Sequence, residues 1–394
     1  MAQRHDSRPA SYQLAIHFRD RTLAQSFEPD AYLADLGHHD DAEHLLDELH
    51  AFGVARVLPG SERGVLLANK LSHRLGLPGN EVSMARAWRD KYAMAAALRA
   101  MGLDAPRSAL VDDVASAVAY FDAQGGRPVV VKPVSSAGTD GVRICPTEDE
   151  VRDAAMSVLS HPNIYGHKNA SLLVQERLDG VEHIVNTVSV DGVHKISDVW
   201  VSNKRVEATG LPFYDYQDAV PVDDALAAVV RYAKDALTAL GIRNGAAHTE
   251  LMVTDRGPVL IETGARLMGS SMPDLTYRLT GMSHVHLLCA ALCDPAAFDR
   301  YDETKVVHSK RMRYVWLSNQ RACARGPGAW QAELGALPTF AELSTFAVSQ
   351  DVIPQTVDVI TAPGLVALVG DDDADLDRDH RAIRALEADD LYAR

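Results

Sequence analysis

Residues 129–142 read VVVKPVSSAGTDGV. The β-branched run Val129-Val130-Val131 predicts a strand, and it delivers Lys132 directly into a turn of small residues, Ser135 to Gly141. Small side chains there leave backbone N–H groups and hydroxyls open to an anion such as a nucleotide triphosphate. The lysine precedes the glycines, so the order is not the GxxxxGK[ST] of a Walker A loop. Alone, the run equally suits a β-hairpin turn with a surface lysine. The partners downstream decide between the two.

Residues 171–182, SLLVQERLDGVE, predict a strand running into a hinge and a tight turn at Asp179-Gly180. Backbone groups exposed along such a hinge, at Gln175, Glu176 and Leu178, suit an adenine edge, and Glu182 just beyond can accept ribose hydroxyls. Next come HTEL, with Glu250 on a predicted strand, and VLIETGAR, with Glu262 near the end of another. Thr254-Asp255-Arg256-Gly257-Pro258 supplies the turn between them. Two carboxylates on adjacent antiparallel strands can converge on one divalent ion, and magnesium suits a site that offers few carboxylates plus substrate phosphates. Arg266, four residues past Glu262, is placed to face a transferring phosphoryl group or an acyl phosphate.

Lys132, the glycine loop, the hinge, Glu182, Glu250, Glu262 and Arg266, in that chain order, resemble the ATP-grasp superfamily. Within it the chain resembles the carboxylate–amine ligases that include the L-amino acid ligases, over roughly residues 50–394. The resemblance implies an α/β (α+β) architecture: a pre-ATP-grasp α/β domain over 1–85, a linker helix and first lobe over 86–178, a second lobe with the metal site over 179–305, and a C-terminal extension capping the cleft over 306–394. It implies an ATP-dependent ligase that forms an acyl phosphate and passes it to an amine, with amino acids as the expected substrates. Joining of a non-amino acid, such as a dicarboxylic acid, to an amine and a catalytically silent nucleotide-binding protein stand as alternatives. The implied cofactors are ATP and Mg2+ or Mn2+. Lys91, Lys132, Ser136, Gly138, Gly141, Gln175, Glu176, Leu178 and Glu182 are then expected at the nucleotide, Glu250 and Glu262 at the metal, and Lys132 and Arg266 in catalysis. One departure stands out. Many ATP-grasp enzymes read E-x-N-x-R on the second metal strand, whereas this chain reads Glu262-Thr263-Gly264-Ala265-Arg266, with glycine in place of the asparagine ligand. Water can compensate, or His248, two residues before Glu250 and so on the same strand face, though position alone does not make it a ligand.

The 394 residues suit two to three structural units. A net charge of −15 with no basic stripe argues against nucleic acid as the partner. It also leaves attraction of ATP to local lysines, arginines and the metal. The N-terminal stretch lacks a basic-then-apolar signal and no apolar run suffices for a membrane span, so a cytoplasmic location is expected. A homodimer is left open. Four cysteines do not suggest a disulfide framework, and Cys289 and Cys293 on an apolar helix are expected to be mostly buried.

Further candidates come from the rest of the chain. Residues 54–60, VARVLPG, predict a strand feeding a helix, with Glu62 at the junction as a contact for a substrate amine or as a plain helix-N-terminal glutamate. His38, His39, His44 and His50 fall on an acidic amphipathic pattern and read as a solvated helix face. Residues 202–221 predict a long loop, functional or packed by its own aromatics. On it, Asp215 and Asp218 are candidates for a substrate ammonium and Lys204 for phosphate or carboxylate. The acidic run Asp371–Asp379 reads as a solvated turn and helix N-terminus ahead of a helix at 381–388. Ser270, four residues past Arg266, is expected beside the acid pocket, with Met268 and Met272 either lining it or in the core.

Overall fold

The structure, a computed structural model, describes residues 12–13, 34–36, 43–136, 140–163, 166–206, 212–324, 326, 330–346 and 351–393. The chain divides into two units, Met1–Gly79 and Asn80–Arg394. In the first, β1 (Tyr12–Gln13) pairs in parallel with β2 (Ala34–Asp35). Helix α1 (Glu43–Ala51) buries Leu45 and Leu49, four residues apart on one face, in a cluster with Leu71 of α2 (Val65–Arg74). His38 and His39 lie outside the described residues. The strand expected over 54–60 does not form. Only Val54 and Val57 join the leucine cluster, and a spacing of three does not match strand alternation. Ser61 is extended and leads into a single 3-10 turn, Glu62–Gly64, before α2.

The second unit opens with α3 (Lys91–Ala100), whose N-terminus is capped by the Asp90 carboxylate accepting from the N–H groups of Tyr92 and Ala93, each at 2.9 Å. A four-stranded antiparallel sheet follows, built from β3 (Ser108–Val111), β4 (Val129–Pro133), β5 (Arg143–Cys145) and β6 (Leu172–Glu176) in the order β3-β6-β4-β5. Helices α4 (Val114–Ala123) and α5 (Glu148–Ser160) cover one face. Val129 and Val131 of β4 and Leu172 and Val174 of β6 point into that helical layer with Phe121, Val151, Ala155 and Val158. Alternation then turns Val130, Lys132 and Gln175 to the opposite face.

The remaining strands are β7 (Val181–Val190), β8 (Val193–Val206), β9 (Pro212–Val220), β10 (Gly245–Thr254), β11 (Gly257–Gly264), β12 (Arg311–Trp316), β13 (Cys323–Ala324), β14 (Phe340–Thr345), β15 (Val352–Ile353) and β16 (Gly364–Gly370). Eight of them form one antiparallel sheet, β11-β10-β7-β8-β9-β12-β16-β14. The helices of this part are α6 (Ala227–Ala239), α7 (Pro273–Thr280), α8 (His284–Cys293), α9 (Pro295–Arg300), α10 (Trp330–Gly335) and α11 (Asp373–Ala388). One large core on the sheet stacks Trp200 on Tyr314 with ring centroids 4.3 Å apart, and takes in Phe213, Trp316, Leu365 and Met272.

Several expectations change here. Residues 202–220 are not a long loop: β8 and β9 pair from Val199↔Val220 to Val206↔Pro212, with only 207–211 outside the described residues. The segment after 306 continues the sheet, since β12 pairs with β9 and β16 with β12. The acidic run does form a helix N-terminus, but α11 starts at Asp373 instead of 381, with Asp372 accepting from the Asp375 N–H at 2.9 Å. Cys289 and Cys293 are exposed, because α8 buries His284, Leu287 and Leu288 and turns the cysteines outward. Among the described residues no helix is long and apolar enough to cross a membrane.

Candidate active site

Strand register assembles the acidic half of the site. On β10 and β11, Glu250 stands opposite Glu262 and His248 opposite Gly264, while β7 sets Asn186 opposite His248. Directly opposed residues share a face with Cβ atoms about 5 Å apart, and residues two apart on one strand share it too. His248, Glu250 and Glu262 therefore emerge together. His248 Nε2 lies 3.3 Å from Glu250 Oε1, and the Tyr214 hydroxyl, from β9, donates toward the same oxygen at 3.4 Å. Glu182 on β7 pairs with Lys204 of β8 at 2.6 Å, and the Lys204 ammonium sits 4.8 Å above the Tyr214 ring.

The basic half comes from the small sheet and α3. Lys91, at the first position of α3, pairs with Glu262 at 2.7 Å and donates to the Ser136 carbonyl at 3.2 Å. Lys132 is buried on the cleft face of β4. Burial and then the nearby Lys91 pull its ammonium down to about 7, with Glu262 and Glu250 as partial counterweights. Lys204 moves the other way: despite burial, Glu182 and Glu250 raise it, so the Lys204–Glu182 pair holds its proton on the lysine. Burial also works against the Glu250 carboxylate, yet the His248 contact and Lys204 hold it well below the ordinary range. Glu182 Oε1 is buried with no hydrogen-bond partner among the described residues, an acceptor open to a ligand hydroxyl.

The loop after β4 is held at both ends. Ser136 Oγ donates to Asp140 Oδ2 at 2.5 Å, and the Asn163 amide donates to the Ser135 carbonyl at 2.9 Å. Gly141 has φ +66°, and a Cβ there would lie 2.9 Å from Pro133 Cγ, so this position needs glycine. Gly138 lies outside the described residues. At the hinge, Gln175 shares the cleft face of the small sheet with Lys132 and, with Lys91, Leu260 and Ile261, lines a small cavity. Leu178 follows, half-buried. The Glu176 side chain, by contrast, is committed within the protein to Arg107 and Arg256, each at 2.7 Å. That leaves only its backbone for a nucleotide.

Two candidates for a substrate ammonium do not reach this cluster. Asp215 is bound by Arg384 at 2.7 Å and His380 at 3.1 Å, with Arg205 at 3.6 Å. Asp218 accepts from both Nε and Nη2 of Arg313, at 2.6 and 2.9 Å. Adjacent residues on a strand face opposite ways, so the β9 position that sends Tyr214 to Glu250 sends Asp215 to the far side. Met272 is a core residue and Met268 is only partly buried. Ser270 is exposed, with φ +49°. Arg266 acts electrostatically on Glu250 and donates to the Leu267 carbonyl at 2.9 Å. Glu62 belongs to the first unit and is half-buried. Asn186 was not singled out from the sequence. Its only signal is register across strands some sixty residues apart, which a single chain does not display.

Among the described residues no three His, Cys, Asp or Glu side chains form a ready-made metal cage. A divalent ion of the magnesium type takes one or two carboxylates and fills its shell with phosphates and water. Glu250 and Glu262, opposed in register beside two ammonium groups suited to phosphate, match such a donor set.

Comparison with known proteins agrees with this geometry. Residues 126–274 match the ATP-grasp domain family. The chain is 30% identical over 388 residues to dapdiamide A synthase of Enterobacter agglomerans, covering 93% of this chain and 90% of that protein. It is 26% identical over 296 residues to alanine–anticapsin ligase of Bacillus subtilis, covering 69% of this chain and 62% of that one. In fold it is similar to the crystal structure of an L-amino acid ligase from Bacillus licheniformis, with a TM-score of 0.71 and 18% identity over 92% of this chain and 89% of the other. The strand-borne glutamate pair, the lysines of the small lobe and a relative aligned along nearly the whole length lead to one conclusion: the chain belongs to the ATP-grasp superfamily, as one of its ATP-dependent carboxylate–amine ligases.

Proposed function

We propose that this ligase joins the carboxylate of one amino acid to the amino group of another amino acid or a closely related amine. The observation that carries the site assignment is the register pair Glu250–Glu262 with Lys91 and Lys132 beside it. Support for the substrate class comes from relatives, one of whose names couples alanine to anticapsin.

In the first step a carboxylate oxygen attacks the γ-phosphorus of ATP, the bond to the β–γ bridging oxygen breaks, and ADP leaves. The amine nitrogen then attacks the acyl carbon, the carbon–oxygen bond to phosphate breaks, and the nitrogen gives up a proton. Such chemistry needs positioning and charge neutralisation more than covalent help. Lys91 and Lys132 serve the phosphates. An arriving triphosphate restores full charge to Lys132, whose ammonium burial has weakened. Glu250 and Glu262 would hold Mg2+ or Mn2+, which when bound neutralises phosphate charge and orients the triphosphate. Arg266 stabilises the acyl phosphate and the oxyanion of the second step. Glu182 accepts ribose hydroxyls through its open oxygen, and Gln175 with the backbone of Glu176 and Leu178 borders the adenine. Ser136 and Gly141 border the phosphates.

The test is an ADP-release screen over pairs of amino acids and small acids. At least one pair should stimulate release above ATP alone. Intact nucleotide binding with no stimulating pair would defeat this reading.

A further inference from the structure

Strand β6 leaves the small sheet with one bond of its ladder rerouted. Ser108 of β3 stands opposite Gln175, so the next pair outward is Arg107 and Glu176. The Glu176 N–H donates to the Arg107 carbonyl at 2.9 Å, and the Arg177 N–H donates the other way, to the Pro128 carbonyl at 3.3 Å. A pair bonded like Arg107 and Glu176 in an antiparallel ladder exchanges both bonds, so the Arg107 N–H would return to the Glu176 carbonyl. It goes elsewhere. The Arg107 N–H donates to the Glu176 side chain, at Oε1, 2.9 Å away.

Both sheets hold the carboxylate in this position. Oε2 accepts from Nε and Nη2 of Arg107 at 2.9 and 2.7 Å. Oε1 accepts from Arg256 Nη2 at 2.7 Å as well as from the Arg107 N–H. Arg256 lies in the turn between β10 and β11 and also pairs with Asp104 at 3.2 Å. Burial works against the Glu176 charge, yet the Arg107 N–H and the two guanidinium groups hold the carboxyl below its ordinary range. An ionised carboxylate only accepts. The consequence falls on the backbone. The N–H and C=O of a strand residue point the same way, here toward Arg107, and the carbonyl is deprived of the N–H that the ladder would supply.

A carbonyl released from its ladder at a hinge is an acceptor for a ligand N–H. Adenine carries a 6-amino donor, whereas guanine and hypoxanthine carry an oxygen at that place. We propose that Glu176 is a positioning residue for base selection: its carboxylate takes the Arg107 N–H, and its own carbonyl stays open to the 6-amino group of adenine. This rests on the reading that the backbone of Glu176 borders the adenine. The side chain does not touch the nucleotide. It acts by keeping the ladder from closing, and Arg256 holds it there from the hairpin that carries Glu250 and Glu262.

The experiment uses the full chain with Mg2+ and measures Kd for ATP and for purine riboside triphosphate, which lacks only the 6-amino group. The parent should bind ATP about tenfold more tightly, as one hydrogen bond to an otherwise unpaired carbonyl provides. Glu176→Met fills similar space without an acceptor for the Arg107 N–H, so the ladder closes and the preference should shrink to about twofold or less. Glu176→Gln keeps an oxygen for that N–H and should keep most of the preference. The side chains of Arg107 and Arg256 are 61% and 34% exposed, so water takes up both guanidinium groups once the carboxylate is gone. Should Glu176→Met still fail to fold, Glu176→Asp, whose carboxylate falls a methylene short of the Arg107 N–H, should lose the preference in its place. A merely structural role would weaken both nucleotides alike and leave the ratio as it was. A full preference in the folded methionine or aspartate variant therefore overturns the role of the side chain and leaves the hinge standing as the adenine site. Loss in Glu176→Gln as complete as in Glu176→Met overturns it as well. Parent protein that binds the two nucleotides equally overturns the hinge reading itself, and this inference with it.

Discussion

The β8–β9 hairpin carries two ionic clusters, built from neighbouring residues on its two sides. On one side Lys204 and Tyr214 meet Glu182 and Glu250. On the other, Arg205 and Asp215, each one residue further on, meet Arg384, His380 and Glu387 of α11. The second cluster is the more nearly closed, although Arg205 Nη2 reaches Glu387 Oε2 only at 3.9 Å. Arg384 donates to Asp215, to Glu387 and to the carbonyls of Asp215 and Trp316, while Glu387 Oε1 accepts from the Ser318 N–H at 2.7 Å and the Tyr392 hydroxyl at 3.0 Å. The first cluster is left open. A Glu182 oxygen lacks a partner, Lys132 is pulled down to about 7, and three glutamates crowd three lysines, of which Lys132 is buried. Both have the residue types of buried ion pairs. Saturation separates them: the closed cluster holds two segments of chain together, and the open one is completed by a ligand.

The largest effect that tests this contrast is on turnover. Glu262→Ala removes a carboxylate from the open cluster, leaving Lys91 without its 2.7 Å partner. Loss of metal-assisted charge stabilisation amounts to several kcal/mol, so ADP release should fall about 10³-fold or more. The melting temperature should fall only a little, because losing the partner of Lys91 is partly offset by removing a like-charged neighbour of Glu250 and Glu182. Near-normal turnover would put the metal elsewhere.

Asp215→Asn should do the reverse. Burial alone would raise the Asp215 carboxyl, yet the His380 bond and Arg384 hold it at about 2. Its folded value lies below its unfolded value of about 3.9, so its contribution to stability is complete above that value and is lost as pH falls toward 2. The asparagine variant leaves buried cations short of a partner and should lose about 3 kcal/mol at neutral pH. The loss relative to the parent should shrink on acidification, with kcat/KM per folded molecule nearly unchanged. Denaturant unfolding at several pH values measures the first, and assays well below the melting temperature the second. A tenfold fall in kcat/KM would return Asp215 to the substrate.

Lys132→Met sharpens the same contrast from the basic side. In the nucleotide-free protein the Lys132 ammonium titrates near 7, while a lysine in the unfolded chain titrates near about 10.4. Between those values the unfolded chain holds the extra proton, so the parent gains stability as pH rises through the window. Methionine removes that dependence. The variant should melt above the parent at about pH 7 and converge with it toward about pH 10, while binding ATP more weakly. Parallel melting curves across the window would show that Lys132 is not desolvated.

The parts of this site legible in the sequence are those set by local pattern. The β-branched run into small residues places Lys132, and period-2 strands joined by a glycine turn place Glu250 and Glu262. The sequence predicts a strand over 193–201, but the end of β8 and the whole of β9 were illegible because both faces of the hairpin carry polar and aromatic residues. One face serves the cleft and the other binds α11, so the apolar alternation of a half-buried strand is missing. The exposed thiols of α8 misled for a related reason, since an apolar helix need not bury every side. Asn186 was invisible because its partner His248 is sixty-two residues away and only strand register unites them.

The smallest expected effect concerns the choice of acid. Ser270 sits at φ +49°, a left-handed conformation that disfavours bulky side chains, at the exposed end of the segment that follows Arg266. Ser270→Trp should cost about 1 kcal/mol of stability through that backbone alone. If Ser270 borders the acid pocket, the indole should also narrow it, lowering kcat/KM for a large acid about tenfold relative to a small one, as steric specificity in apolar pockets does. ATP affinity should be largely kept, since neither ionic cluster is touched. The ratio of kcat/KM for alanine and for a large amino acid, in parent and variant, is the measurement, and Ser270→Gly serves as the control that relieves the backbone without filling space. An unchanged ratio in the tryptophan variant removes Ser270 from the pocket, and places acid selection on residues away from the segment that follows Glu262 and Arg266.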